Sequence, residues 1–157
     1  LYGGTYNLLS VTLPRHGITT TFVDPSDAEN FKNAAQENTR AFFIESLGNP
    51  KLDVLDIEAI SKEAKAYKVP LIVDNTVATP YLLNPIAHGA NIVIHSLTKY
   101  INGNGTALGG VIIDAGTFDW SNCTFPEFTE PSPSYHGLVY SEALEAAAPG
   151  STVDLIS

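Results

Sequence analysis

Leu71-Ile72-Val73-Asp74-Asn75-Thr76 and Ile92-Val93-Ile94-His95-Ser96-Leu97-Thr98-Lys99-Tyr100 are each a short apolar run that ends in polar residues. That texture predicts two buried strands, each delivering reactive side chains at its carboxyl end. Working outward, Arg40 to Glu45 reads as another buried strand and Gly109 to Ile113 as a fourth. Between the strands at 40 and 71, Ile57, Ile60, Ala64 and Tyr67 recur at helical spacing. Asp53 is the expected cap of that helix, with Lys62, Lys65 and Lys68 suiting its last turns. Strands alternating with helix or loop imply an α/β fold, a mostly parallel sheet with helices on both faces.

The flanks are read the same way. Thr5 to Leu13 is an expected helix closed by Pro14 and Gly17, and Ile18 to Val23 is β-branched and apolar enough for a short strand. Ser26 and Glu29 have capping-box spacing, followed by Ala28, Phe31 and Ala35 on one helix side. Residues 125–133 form an acidic, proline-punctuated loop, and Tyr140 to Ala148 predicts a helix stopped by Pro149-Gly150.

Composition narrows the function. The 157 residues carry 17 acidic against 8 basic side chains, a net charge of −9, which argues against nucleic acid as a partner. The lone Cys123 cannot form an internal disulfide, and no apolar run approaches the ~20 residues of a membrane helix. A soluble protein of the reducing cytoplasm is the expectation. With no Met in the sequence, Leu1 does not read as a translation start, and an internal fragment is expected.

In parallel sheets ligands bind outside the carboxyl ends of the strands. The residues there are Asn49, Asp74 and Lys99, with 25 positions between each and the next, one crossover unit apiece. An amine between two hydroxyls can form a Schiff base while the hydroxyls hold a phosphate, and an acid from the neighbouring strand can pair with a protonated pyridine nitrogen. Together these point to pyridoxal phosphate (PLP). Taken singly, each residue has a plainer reading. Asp74 and Asn49 suit turns, Ser96 and Thr98 can satisfy local backbone groups, and Tyr2 suits a core. The glycines from 103 to 110 lead into a strand and lack a nucleotide-loop pattern, while His16, His88, His95 and His136 are too scattered for a metal site.

Four ordered motifs carry a resemblance: Leu1-Tyr2-Gly3-Gly4-Thr5, Glu45-Ser46-Leu47-Gly48-Asn49-Pro50, Val73-Asp74-Asn75-Thr76-Val77-Ala78-Thr79-Pro80-Tyr81 and Ser96-Leu97-Thr98-Lys99-Tyr100. The chain resembles the cystathionine and methionine metabolism family of PLP enzymes, whose large domain has the aspartate aminotransferase-like fold (fold type I). Residues 101–106 and 125–138 are most similar to its O-acetylhomoserine sulfhydrylase branch. The resemblance implies that residues 1–141 are the central part of the PLP-binding domain and 142–157 a divergent or truncated tail. It also implies an N-terminal segment and a C-terminal small domain outside this stretch, including the arginine for the substrate carboxylate.

By the same resemblance, Lys99 bears the cofactor and, with Tyr2, is catalytic. Asp74 partners the pyridine nitrogen, Ser96 and Thr98 bind phosphate, Tyr2 stacks on the ring, and Asn49 lies near the 3-hydroxyl. The implied activity is alkyl transfer: γ-replacement on O-acetyl-L-homoserine by sulfide or a small thiol, giving homocysteine or methionine plus acetate. The partners are this amino-acid substrate, the thiol and further copies of the chain, as a homo-oligomer of tetramer type. The alternatives are a cystathionine γ-synthase or γ-lyase of the same family, and an isolated piece that is catalytically inert.

Overall fold

Apolar stretches separated by helical ones favour parallel pairing, because a parallel neighbour is reached only through a crossover of a dozen or more residues. The computed structural model, which describes residues 1–122, 125–147 and 152–154, has this arrangement at its centre. Strands β1 (Phe42–Glu45), β2 (Leu71–Asp74) and β3 (Ile92–Ser96) lie side by side and parallel. β4 (Gly110–Asp114) runs antiparallel to β3, and β5 (Thr152–Asp154) antiparallel to β4. The sheet is therefore mixed: among the described strands β4 alone runs against the other four. No helix intervenes between Ser96 and Gly110, so the chain folds back along the edge instead of crossing a face.

The crossover from β1 to β2 is α3 (Ile57–Ala66), which buries Ile57, Ile60 and Ala64. These pack with Phe42, Ile44, Leu71, Val73 and Val93 into one aliphatic core, joined by Phe31 of α2 (Glu29–Ala34). Each such side chain contributes about 1.5–3 kcal/mol by leaving water. The opposite face is only half covered: Phe43, Ile72, Ile92 and Ile94 are partly exposed. The second crossover is short, α4 (Thr79–Leu82) followed by a 3-10 turn at Pro85–His88. Gly89 closes that turn at φ 96°, a conformation that favours glycine.

At the amino end, α1 (Gly3–Asn7) runs on as a π turn, Leu8–Thr12, and a 3-10 turn, Leu13–His16. The predicted helix thus starts two residues earlier and takes in Pro14 before Gly17 ends it. The remaining helices are α5 (Pro126–Thr129), a single turn within the stretch expected as a loop, and α6 (Tyr140–Ala147), the latter close to its predicted span. Cys123 and the Pro149-Gly150 stop lie outside the described residues.

Three local expectations are corrected. Residues 18–23 form no strand, since among the described residues no neighbour offers them a ladder, and Ile18 and Phe22 stay about half exposed. Phe22 packs instead on the ring of Tyr6 at 5.2 Å. The N-cap of α3 is Asp56, whose carboxylate accepts from the Ala59 N–H at 2.9 Å, whereas Asp53 pairs through its backbone with Gly48. Ser26 caps nothing: the Glu29 N–H is taken by the carboxylate of Asp27, two residues away, and the Ser26 N–H by that of Asp24.

Candidate active site

Successive strand residues point to opposite faces, so the register of β1–β3 decides which side chains meet. Ile44, Val73 and Val93 stand in register on the core face. One residue further along β1 and β2, Glu45 and Asp74 stand in register on the half-open face, and Asp74 faces Ile94 of β3. Ser96, two residues beyond Ile94, shares that face. Beyond it the chain tightens into turns, with the Lys99 N–H donating to Ser96 O at 3.2 Å and the Gly103 N–H to Lys99 O at 2.9 Å. Lys99 is thereby held beside the carboxyl end of β3.

A cavity of about 500 Å³ opens there, lined by Tyr2, Asn49, Asp74, Ser96 and Lys99. Five of the six residues singled out from sequence come together in it, from four separate segments. The sixth, Thr98, is not in its lining. Its hydroxyl donates to Gly109 O at 3.3 Å and accepts from the Gly109 N–H at 3.1 Å, tying the turn to the start of β4.

The acid and the hydroxyl are set by a short relay. Asp74 Oδ1 accepts from the Thr76 N–H at 2.9 Å, and Thr76 Oγ1 accepts from the Ser96 N–H at 2.8 Å, locking the ends of β2 and β3 together. Beneath them Asn75 is fully buried. Its carbonyl accepts from Ser46 Oγ at 2.7 Å, and its amide donates to Thr79 O and Leu83 O. Buried polar groups are tolerated when satisfied in this way, and they fix one arrangement of the loops they join.

His95 lies on the core face, 2% exposed, next to this hub. Burial lowers its pKa from the ordinary 6.5, opposed by a hydrogen bond with the Asn75 backbone and by the charge of Asp74. It belongs to the packed side and does not line the cavity.

Glu45 and Thr76 are among the lining residues that reasoning from sequence passed over. Both sit inside the quoted motifs, and the strand period alone places Glu45 two residues from Phe43 on the half-open face. An amine, a carboxylate and a hydroxyl around a cavity of this size fit PLP: an amine for its aldehyde, an acid for its ring nitrogen and a donor for its phosphate.

The chain matches the family described as Cys/Met metabolism PLP-dependent enzyme over residues 1–134. It is 57% identical over 155 residues to the O-acetyl-L-homoserine sulfhydrylase of Leptospira meyeri, covering 99% of this chain and 35% of that protein. To the homocysteine synthase of Schizosaccharomyces pombe it is 55% identical over 145 residues, 90% of this chain and 34% of the other. Among solved structures, one assigned to an O-acetylhomoserine (thiol)-lyase of Campylobacter jejuni superposes with a TM-score of 0.86 at 43% identity. The superposition covers 90% of this chain and 36% of the other, which contains N′-pyridoxyl-lysine-5′-monophosphate. The chain spans about a third of the length of these relatives. A family match through residue 134, joined to the same fold at 43% identity, leaves one assignment: the chain belongs to the Cys/Met metabolism family of PLP-dependent enzymes.

Proposed function

We propose that this chain supplies the central part of the cofactor site of a PLP-dependent γ-replacement enzyme. That enzyme exchanges the acetoxy group of O-acetyl-L-homoserine for sulfide or a small thiol, giving homocysteine or methionine plus acetate. The observation that carries the reading is the meeting of Lys99, Asp74 and Ser96 in one cavity at the carboxyl ends of adjacent strands. The kinship with proteins named O-acetyl-L-homoserine sulfhydrylase and homocysteine synthase supports the choice of substrate. The assembly we expect is a homo-oligomer of the full-length protein, in the cytoplasm. No helix among the described residues is long and apolar enough to cross a membrane.

When bound, PLP supplies an electron sink for charge developing on the substrate carbons. Lys99 would hold the cofactor through its amine, and the free amine would take the proton from Cα of the substrate and then move one from Cβ. The carboxylate of Asp74 keeps the pyridine nitrogen protonated, an opposite charge favouring the cationic form. Ser96 and Thr98 offer hydroxyls to the phosphate, which for Thr98 requires exchanging its contacts with Gly109. Tyr2 would cover the ring, and Asn49 would sit by its 3-hydroxyl.

The test is to add PLP to a protein carrying this chain at the full length of its relatives, and to record the visible absorption of lysine-bound cofactor. A band present in the parent and absent in Lys99→Ala is the expected result, together with acetate release from O-acetyl-L-homoserine that depends on sulfide. A band that survives Lys99→Ala overturns the assignment of Lys99. The same titration of the 157-residue chain alone decides whether it is an inert piece.

A further inference from the structure

Glu45 ends β1 almost completely buried, 7% exposed, yet it lines the cavity and sits in register with a second carboxylate, Asp74. Like charges directly opposite on neighbouring strands repel, so each acid needs donors of its own. The backbone supplies those donors. Glu45 Oε1 accepts from the Tyr2 N–H at 2.7 Å, and its Oε2 from the Asn49 N–H at 3.1 Å. Asp74 is served separately, by the Thr76 N–H. One oxygen of Glu45 therefore holds a segment 43 positions upstream, and the other holds the loop that follows its own strand.

We propose that Glu45 is a positioning residue: its buried carboxylate clamps the backbones of Tyr2 and Asn49 so that both side chains face the ligand, while Asp74 stays directed at it. The inference rests on the reading of the cavity as a PLP site and deepens it. Charge-assisted hydrogen bonds from backbone N–H groups are roughly twice as strong as neutral ones, and a carboxylate can accept both because it has no donor of its own. A glutamine of the same shape cannot, since its NH2 group would face one of the two N–H donors. Tyr2 depends on such a hold. It is half exposed, at the very start of α1, and its ring lies against Gly4, where an added Cβ would stand 2.8 Å from Cε1.

The experiment compares the full-length parent with Glu45→Gln, Glu45→Asp and Ile60→Ala, the last truncating a core side chain that does not line the cavity. Apparent Kd for PLP, visible circular dichroism of the bound cofactor and thermal unfolding without cofactor are measured for each. Glu45→Gln is expected to raise Kd about tenfold, which corresponds to about 1.4 kcal/mol, and to reduce the induced dichroism, which reports ring orientation. Ile60→Ala is expected to lower thermal stability while leaving Kd and dichroism unchanged. Should Glu45→Gln not fold, Glu45→Asp, whose shortened arm reaches only one of the two donors, carries the comparison.

Parental Kd and dichroism in the folded Glu45 variants overturn the clamp, as does an Ile60→Ala loss of affinity equal to theirs. A parent that binds no PLP overturns the cofactor reading itself.

Discussion

On one face of the parallel strands Ile44, Val73 and Val93 stand in register, each at most 2% exposed, under the apolar side of α3. On the other face the same strands end in Glu45, Asp74 and Ser96, against an open cavity. The backbone is shared, and only the two-residue period of the strand separates the faces. The closed face holds the sheet together, and the open one is free to hold groups that would be costly in a core. Stability and chemistry thus fall on alternate residues, and substitutions on the two faces should have effects of different kinds.

The largest expected effect is that of Lys99→Ala. All lysine-bound cofactor is lost, read as the missing visible band, while the free energy of unfolding without cofactor stays within about 0.5 kcal/mol, because Lys99 is exposed. A stability loss comparable to a core substitution would break the division. Asp74→Asn comes next. A carboxylate facing a cation at ~4 Å is worth about 4 kcal/mol at intermediate dielectric, so turnover should fall by up to about a thousandfold. Folding should change little, because asparagine still accepts from the Thr76 N–H. Unchanged turnover would remove Asp74 from the mechanism.

Ile60→Ala tests the closed face. Ile60 is 1% exposed, and its truncation should cost about 2–5 kcal/mol in denaturant unfolding, with PLP affinity of the folded fraction unchanged. An affinity that fell in step with stability would mean the faces are coupled. The smallest effect concerns His95. Its native pKa lies below the ordinary 6.5, so the unfolded chain binds a proton more readily. The stability contributed by neutral His95 is present above pH 6.5, declines as pH drops below it, and is gone once pH has passed the depressed native value. Unfolding midpoints measured from pH 8 down to pH 5 should fall more steeply in the parent than in His95→Gln.

Much of this division is legible in the sequence. Leu71-Ile72-Val73 and Ile92-Val93-Ile94 announce strands by their apolar runs, and Asp74 and Lys99 announce a site by following them. The chemistry of a motif is local in this sense. Residues 18–23 show the limit: their composition is that of a strand, but a strand exists only where another offers hydrogen bonds, and none does among the described residues. The cap of α3 shows another. Asp53 and Asp56 are equal candidates by type, and the bridge between Leu47 and Val54 draws Asp53 into the preceding loop, leaving the cap to Asp56.

The amino-acid order fixed which residue types stand at the strand ends, because apolar runs and turn chemistry are properties of neighbours along the chain. It took the folded arrangement to bring Glu45 to Tyr2 across 43 positions, to turn Thr98 to Gly109, and to bury His95 on the core face. Those outcomes depend on which donors and acceptors the folded chain brings within ~3 Å of one another, a distance that no spacing along the sequence encodes.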